Sequence, residues 1–276
     1  MTRSTLRMLA AALAVLAVLA GSAAAEAATC SNNPADFPSW LESFKAEAIA
    51  SGISPAVVKA SLTGVTYDPR VIKLDRNQKH FKQPFAVYSA RVVSAGRVAR
   101  GKKLMVQYAN ALARIEKQFG VPAPILIAIW GMETDFGDGS GNMSTFRSLS
   151  TLAFDCRRTD FFQEQLMDAL KIVQRGDLAP SDMKGAWAGE IGQTQFMASS
   201  YVRFAIDFDG SGRADLRHSP VDVLASTANY LKGYGWQRGG SWEEGSANFN
   251  VLRQWNKAEV YAKSAALFAD KLSGTQ

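Results

Sequence analysis

Histidine and cysteine are scarce in this 276-residue chain, which holds two of each. With only His80 and His218, a multi-histidine catalytic zinc site is nearly excluded. A Ser-His-Asp or Cys-His site would have to use one of these two, and neither sits in a nucleophile signature. Beyond its first segment the chain lacks any stretch apolar enough to cross a membrane, which argues against stable membrane insertion. It also lacks a dense Lys/Arg tract, so a net charge of +6 carries no nucleic-acid signature. Alternating strand patterns, internal repeats and low-complexity tails are absent too. Without strand patterns, the fold class expected is all-α.

The first segment that is present reads as an address. Arg3 and Arg7 precede an apolar run from Leu9 to Leu19, too short to span a bilayer, and small residues follow up to Ala27. Residues 1–27 are expected to be a secretory signal peptide, with cleavage after Ala25 or Ala27. An exported chain lives where thiols oxidise, so Cys30 and Cys156 are expected to form a disulfide. A lipid attached to Cys30 is the alternative. Thr29 is large for such a processing site, and lipidation would strand Cys156. A mildly basic exported protein suits an anionic polymer, although the same charge also reads as an ordinary surface.

Helical periodicity dominates the rest. Trp40, Leu41, Phe44 and Ala48 share a face that Gly52 ends before Ser54-Pro55. Leu104, Tyr108, Leu112, Ile115 and Phe119 read as one buried stripe, stopped by Gly120 and Pro122. Pro124 opens an apolar helix, Phe162 to Val173 marks another, Pro220 starts one reaching Leu231, and Val260 to Leu272 suggests a last. Residues 235–250, rich in glycine, read as a loop or joint.

Glu133 is the residue where chemistry is expected. It ends the run Ile125-Leu-Ile-Ala-Ile-Trp-Gly-Met-Glu133. A helix apolar all round is buried, so this acid stands at the wall of the core. Desolvation and the negative end of the helix both favour its protonated form, as a general acid requires. A helix-end glutamate paired with an arginine fits the spacing equally. Asp135 lies about 200° away around the helix and is no partner for it. It more plausibly shapes the helix end. Asp155, Asp160, Glu164 or Glu190 could approach in space.

Several blocks in one order make the chain recognisable: Gly131-Met-Glu-Thr134, Leu149-Ser-Thr-Leu-Ala-Phe154, Arg157-Arg158, Gly189-Glu-Ile-Gly-Gln-Thr-Gln-Phe-Met197 and Ala228-Asn-Tyr230. Together they resemble the lytic murein transglycosylase B family, with a weaker likeness from Phe37 through Trp255-Asn256 and Tyr261. The resemblance implies a lysozyme-like core and a catalytic domain over 28–276, with Glu133 as the single catalytic acid and no catalytic cofactor. It implies cleavage of the MurNAc-GlcNAc bond of peptidoglycan without water, leaving 1,6-anhydro-muramic acid ends. The implied partners are glycan strands of the periplasmic wall, met by a monomer that synthesis complexes could recruit. Substrate contacts fall on Arg157, Arg158, Gln195 and Tyr230, and with less support on Tyr88, Asn256 and Tyr261. Salt bridging for the arginines and packing for the others are the competing readings. A serine of the family pattern falls on Ala186 here. A hydrolytic muramidase on the same fold, or a non-catalytic wall-binding scaffold, remain as rivals.

One further motif concerns a metal. Asp207, Asp209, Ser211, Arg213 and Asp215 alternate, and Gly212 takes the sixth place of an EF-hand-like loop. His218 stands where the closing glutamate belongs. The resemblance implies a longer loop, 207–222, closed by Asp222. The ligands expected are Asp207, Asp209, Ser211, the Arg213 carbonyl and Asp222, around a structural Ca2+. A polar loop without an ion is the other reading.

Overall fold

The computed structural model describes residues 28–77 and 83–274. The expected signal peptide, and His80, lie outside the described residues. Among these, thirteen α-helices follow one another. In chain order they are α1 (Phe37–Ala50), α2 (Pro55–Leu62), α3 (Pro69–Arg76), α4 (Phe85–Val92), α5 (Ala95–Gln107), α6 (Ala109–Phe119) and α7 (Ala123–Thr134). Then come α8 (Thr145–Phe154), α9 (Thr159–Gln174), α10 (Ala198–Phe204), α11 (Pro220–Gly233), α12 (Ala247–Trp255) and α13 (Glu259–Ser273). A two-residue antiparallel pair, β1 (Met143–Ser144) with β2 (Lys184–Gly185), interrupts the helices.

The architecture is set by α7. Ile125 to Ile129 are wholly inaccessible to solvent. An element apolar on every face must be covered on every face. It packs against α13, α5, α11 and α6. A second layer, α8 on α9 with α1, α2 and α10, builds the other flank. The helix starts follow sequence rules. Ser54, Ser94, Ser144, Ser219 and Ser246 cap α2, α5, α8, α11 and α12, each accepting a backbone N–H within its first turn. No described helix is long and apolar enough to cross a membrane.

Two readings need correction. The stripe from Leu104 to Phe119 is not one helix: it breaks at Tyr108, which caps α5 and opens α6. Leu104 and Tyr108 are only partly buried, whereas Leu112, Ile115 and Phe119 are core. A four-residue spacing crossed a break that carries no proline or glycine to mark it. The glycine-rich stretch is also shorter than expected. Ser246 caps α12, and Phe249 and Asn248 are already buried within it.

Cys30 and Cys156 are joined by a disulfide across 126 positions. It fastens the segment before α1 to the α8–α9 junction. Ser31 N donates to the Phe154 carbonyl (3.0 Å), and Gln163 Nε2 donates to the Ala28 carbonyl (2.8 Å).

Candidate functional site

At the C-terminal end of α7, Asp135 takes the left-handed conformation (φ 52°) and is held by Arg97 Nε at 3.0 Å. The arginine available at this helix end therefore goes to Asp135. Among the described residues no basic group pairs with Glu133. Glu133 instead accepts two hydrogen bonds on the same oxygen: Trp255 Nε1 donates to Oε1 at 2.8 Å and Tyr261 OH donates to it at 2.7 Å. None of the hydrogen bonds found among the described residues ends on Oε2.

Burial pushes the Glu133 carboxyl above the usual carboxylate range. The donors Trp255 and Tyr261 pull it back down, and the charge of Glu190 pushes it up again. Desolvation is the largest of these influences. The phenol of Tyr261, buried against this acid, is itself raised. Tyr88 on α4 is raised by burial and by the nearby Glu133 charge.

Glu133 opens into a cavity of about 350 Å³ lined by Glu190, Gln195, Phe196, Met197, Ser200, Tyr230, Trp255 and Asn256. Three segments far apart in sequence supply these walls: the turn-rich stretch 186–197 with the start of α10, the end of α11, and the end of α12. The stretch folds back on itself through bridges from Ile191 to Gly185 and to Phe196. Gly185 makes this possible, since a Cβ there would lie 1.6 Å from the Glu190 carbonyl oxygen. Gln195 sits at φ 55°, a conformation that costs a non-glycine residue free energy and often marks a functional position. Its Nε2 donates to the Gly192 carbonyl at 2.8 Å and the Ser140 carbonyl at 3.3 Å, which orients the amide.

The expected contacts thus separate. Gln195, Tyr230 and Asn256 line the cavity. Tyr261 touches Glu133 directly, and Tyr88, buried on α4, feels its charge. Tyr230 does not reach Glu133. Its hydroxyl donates to the Gln254 carbonyl (3.0 Å) and its ring packs edge-on to Trp255 (4.8 Å), so it holds the tryptophan that holds the acid. Asn256 Oδ1 accepts from Ala258 N (3.0 Å).

Arg157 and Arg158 do not line the cavity. Both bind Asp75, which is 2% exposed: Arg157 Nη1 at 2.7 Å, Arg158 through Nη2. Arg76 bridges Asp75 to Asp155. Salt bridging, the competing reading for the arginine pair, is what the side chains do; Arg158 nonetheless favours the charged form of Glu190. Of the four acids considered as neighbours, only Glu190 lines the cavity. Asp155 is spent on Arg76, and Asp160 and Glu164 are exposed. Trp255 was missed as a ligand of Glu133. Its only sequence signal was its place beside Asn256, since periodicity does not reveal a contact across 122 residues.

The metal loop forms a separate cluster. Oxygens of Asp207, Asp209 and Asp222 lie within 4.8 Å of one another. Ser211 Oγ donates to the Arg213 carbonyl at 3.2 Å beside them. Asp222 is fully buried and is pushed up by burial and by Asp209. Among the described residues none of the three carboxylates has a basic partner, so the donor set suits a hard cation. His218, at the twelfth place of the loop, pairs with Asp215 (3.1 Å) and is not part of the cluster.

Comparison with known proteins agrees with this geometry. The chain is 37% identical over 153 residues to the membrane-bound lytic murein transglycosylase B of Escherichia coli K12, a match covering 55% of this chain and 42% of that protein. It superposes on Pseudomonas aeruginosa SltB3, solved in complex with NAG-NAM-pentapeptide, with a TM-score of 0.82 at 32% identity over 86% of this chain and 80% of that one. Escherichia coli lytic transglycosylase Slt35, solved in complex with calcium, shares the fold at TM-score 0.76 and 24% identity over 85% and 93%. The model of the transglycosylase SLT domain matches residues 36–246, and the chain belongs to that family.

Proposed function

We propose that this chain is a peptidoglycan lytic transglycosylase that cleaves the MurNAc-GlcNAc bond and leaves a 1,6-anhydro-muramic acid end. The observation that carries the reading is a desolvated, unpaired carboxyl with one oxygen held by two donors, at the head of a polar cavity. In this reading Glu133 donates its proton to the glycosidic oxygen as the bond to muramic acid C1 breaks. Positive charge builds at C1, and the acetamido oxygen of the same sugar attacks it. Glu133, now a carboxylate steadied by Trp255 and Tyr261, takes the proton of the sugar's 6-hydroxyl. That oxygen bonds to C1, the acetamido group is released, and the acid is restored. One carboxyl thus serves as acid and then base, where most glycosidases divide these roles between two.

Gln195, with its amide nitrogen committed to carbonyls, presents its oxygen as an acceptor for an acetamido N–H. Asn256 offers a second amide on the same cavity. Arg157 and Arg158, fixed by Asp75, would meet substrate carboxylates only at the rim. The substrate class is supported by SltB3, whose complex contains NAG-NAM-pentapeptide. Action in the periplasm follows from the substrate and from the signal read in residues 1–27.

Digestion of purified sacculi read by mass spectrometry tests the reaction. Anhydro products one water lighter than hydrolytic ones are expected, and Glu133→Gln should abolish them while still folding. Products carrying the water would establish the hydrolytic muramidase instead. Wall binding with no cleavage by either protein would leave only a scaffold.

The loop 207–222 is proposed to hold structural Ca2+ through Asp207, Asp209, Ser211, the Arg213 carbonyl and Asp222. When bound, the ion would neutralise clustered carboxylates and brace the start of α11, which carries Tyr230. No catalytic step passes through it.

A further inference from the structure

The catalytic cavity contains a second acid for which the single-acid mechanism has no use. Glu190 lines the same cavity as Glu133. Its side chain is fixed: Ala188 N donates to Oε2 at 3.2 Å, and Gly185 lets its backbone dock against β2. The titratable and charged groups facing the pair come from several elements. Tyr261 on α13 and Tyr88 on α4 stand on the Glu133 side. Arg158, from the α8–α9 junction, stands on the Glu190 side. Tyr230 on α11 lines the cavity and is committed to Gln254.

We propose that Glu190 is a positioning residue: a second carboxylate of the cavity whose negative charge keeps the proton on Glu133 until the glycosidic oxygen arrives. The inference rests on the transglycosylase reading for its consequence, but not for its physics. Two acids sharing one desolvated cavity cannot both ionise freely, so the first charge opposes the second. The surroundings decide which ionises first. Glu190 has the Arg158 guanidinium and backbone N–H donors. Glu133 has two neutral donors, and no basic group pairs with it among the described residues. The Glu190 charge raises Glu133, while Glu190 is raised by burial alone. The Asp75–Arg158 pair then has a function away from substrate: it holds a cation where it favours the charge on Glu190.

The test is the pH dependence of kcat/KM on soluble glycan strands, together with the titration of Glu133 followed by carboxyl-carbon NMR. A general acid must be protonated, so its ionisation produces the alkaline limb. Glu190→Gln removes the opposing charge, and that limb should move toward acid, with about a tenfold loss on the limb for each pH unit moved. Glu190→Asp should bring it back. The NMR titration should move the same way in the absence of substrate. If Glu190→Gln folds with the wild-type melting curve and neither limb nor titration moves, the proposal is wrong, whatever happens to kcat. If the wild type yields no anhydro product, the transglycosylase reading fails, while the NMR titration still judges the Glu190–Glu133 coupling.

Discussion

Glu133 sits between opposed influences, and each has a removable cause. Desolvation and Glu190 hold the proton on; Trp255 and Tyr261 pull it off by stabilising the anion. Tyr261→Phe deletes a donor to the charged form, so the alkaline limb of activity should move to higher pH, the direction opposite to Glu190→Gln. Comparing the two pH profiles checks the sign. The raised acid also bears on stability. A carboxyl raised by folding contributes stability below its unfolded value, and that contribution disappears as pH climbs through the folded one. Glu133→Gln never bears the cost of a buried charge. It should therefore melt higher than wild type at neutral pH, and the advantage should vanish in acid, as calorimetry at several pH values would reveal. Gln195, at positive φ, carries strain of about 1–3 kcal/mol typical of such positions. The sequence suggested Gln195 and Glu133 through their blocks, but not the bond from Trp255, whose partner is 122 residues away.

The elements that matter are the strap 186–197 and the calcium-type loop. The strap is neither helix nor strand by periodicity, and its path depends on Gly185, where a side chain would collide with the Glu190 carbonyl. Gly185→Ala should lower kcat by tenfold or more through displacement of Glu190 and Gln195, with only a modest loss of melting temperature, since the helical core is untouched. A turnover assay beside a melting curve separates these effects. In the loop, Asp222 is buried with no basic partner among the described residues, and Gly212 turns at φ 92°. Chelation should lower the melting temperature, and Asp222→Asn should remove the difference between chelated and calcium-replete protein; an unchanged curve would exclude the ion. The alternation of acids made the loop legible. Its closing residue, Asp222, came from the family resemblance and not from the alternation, which puts His218 at the twelfth place; His218 pairs with Asp215.

At the scale of the molecule, a disulfide closes 126 positions and ties the segment before α1 to the junction that carries Arg157 and Arg158. Cross-links over long loops stabilise by about 2–4 kcal/mol, chiefly by restricting the unfolded chain. Replacing Cys30 and Cys156 with serine should lower the unfolding free energy by that amount in denaturant titration, with kcat little changed because the cavity walls come from elsewhere. The core makes a similar distinction. A truncation such as Ile127→Ala empties space at the centre of α7 and should cost about 2–5 kcal/mol.

The sequence alone determined the helical class, the buried run of α7, the acid at its end and the disulfide. These follow from local rules: periodicity, capping, and the fate of two cysteines in an oxidising compartment. Only the tertiary structure decided which side chains surround that acid. Asp75 claims the tandem arginines, Arg97 goes to Asp135, Tyr230 steadies Trp255, and Glu190 enters the cavity. The physical reason is that hydrogen bonds and fields act through space at a few ångströms, whereas residue patterns report only neighbours one or two turns away along the chain.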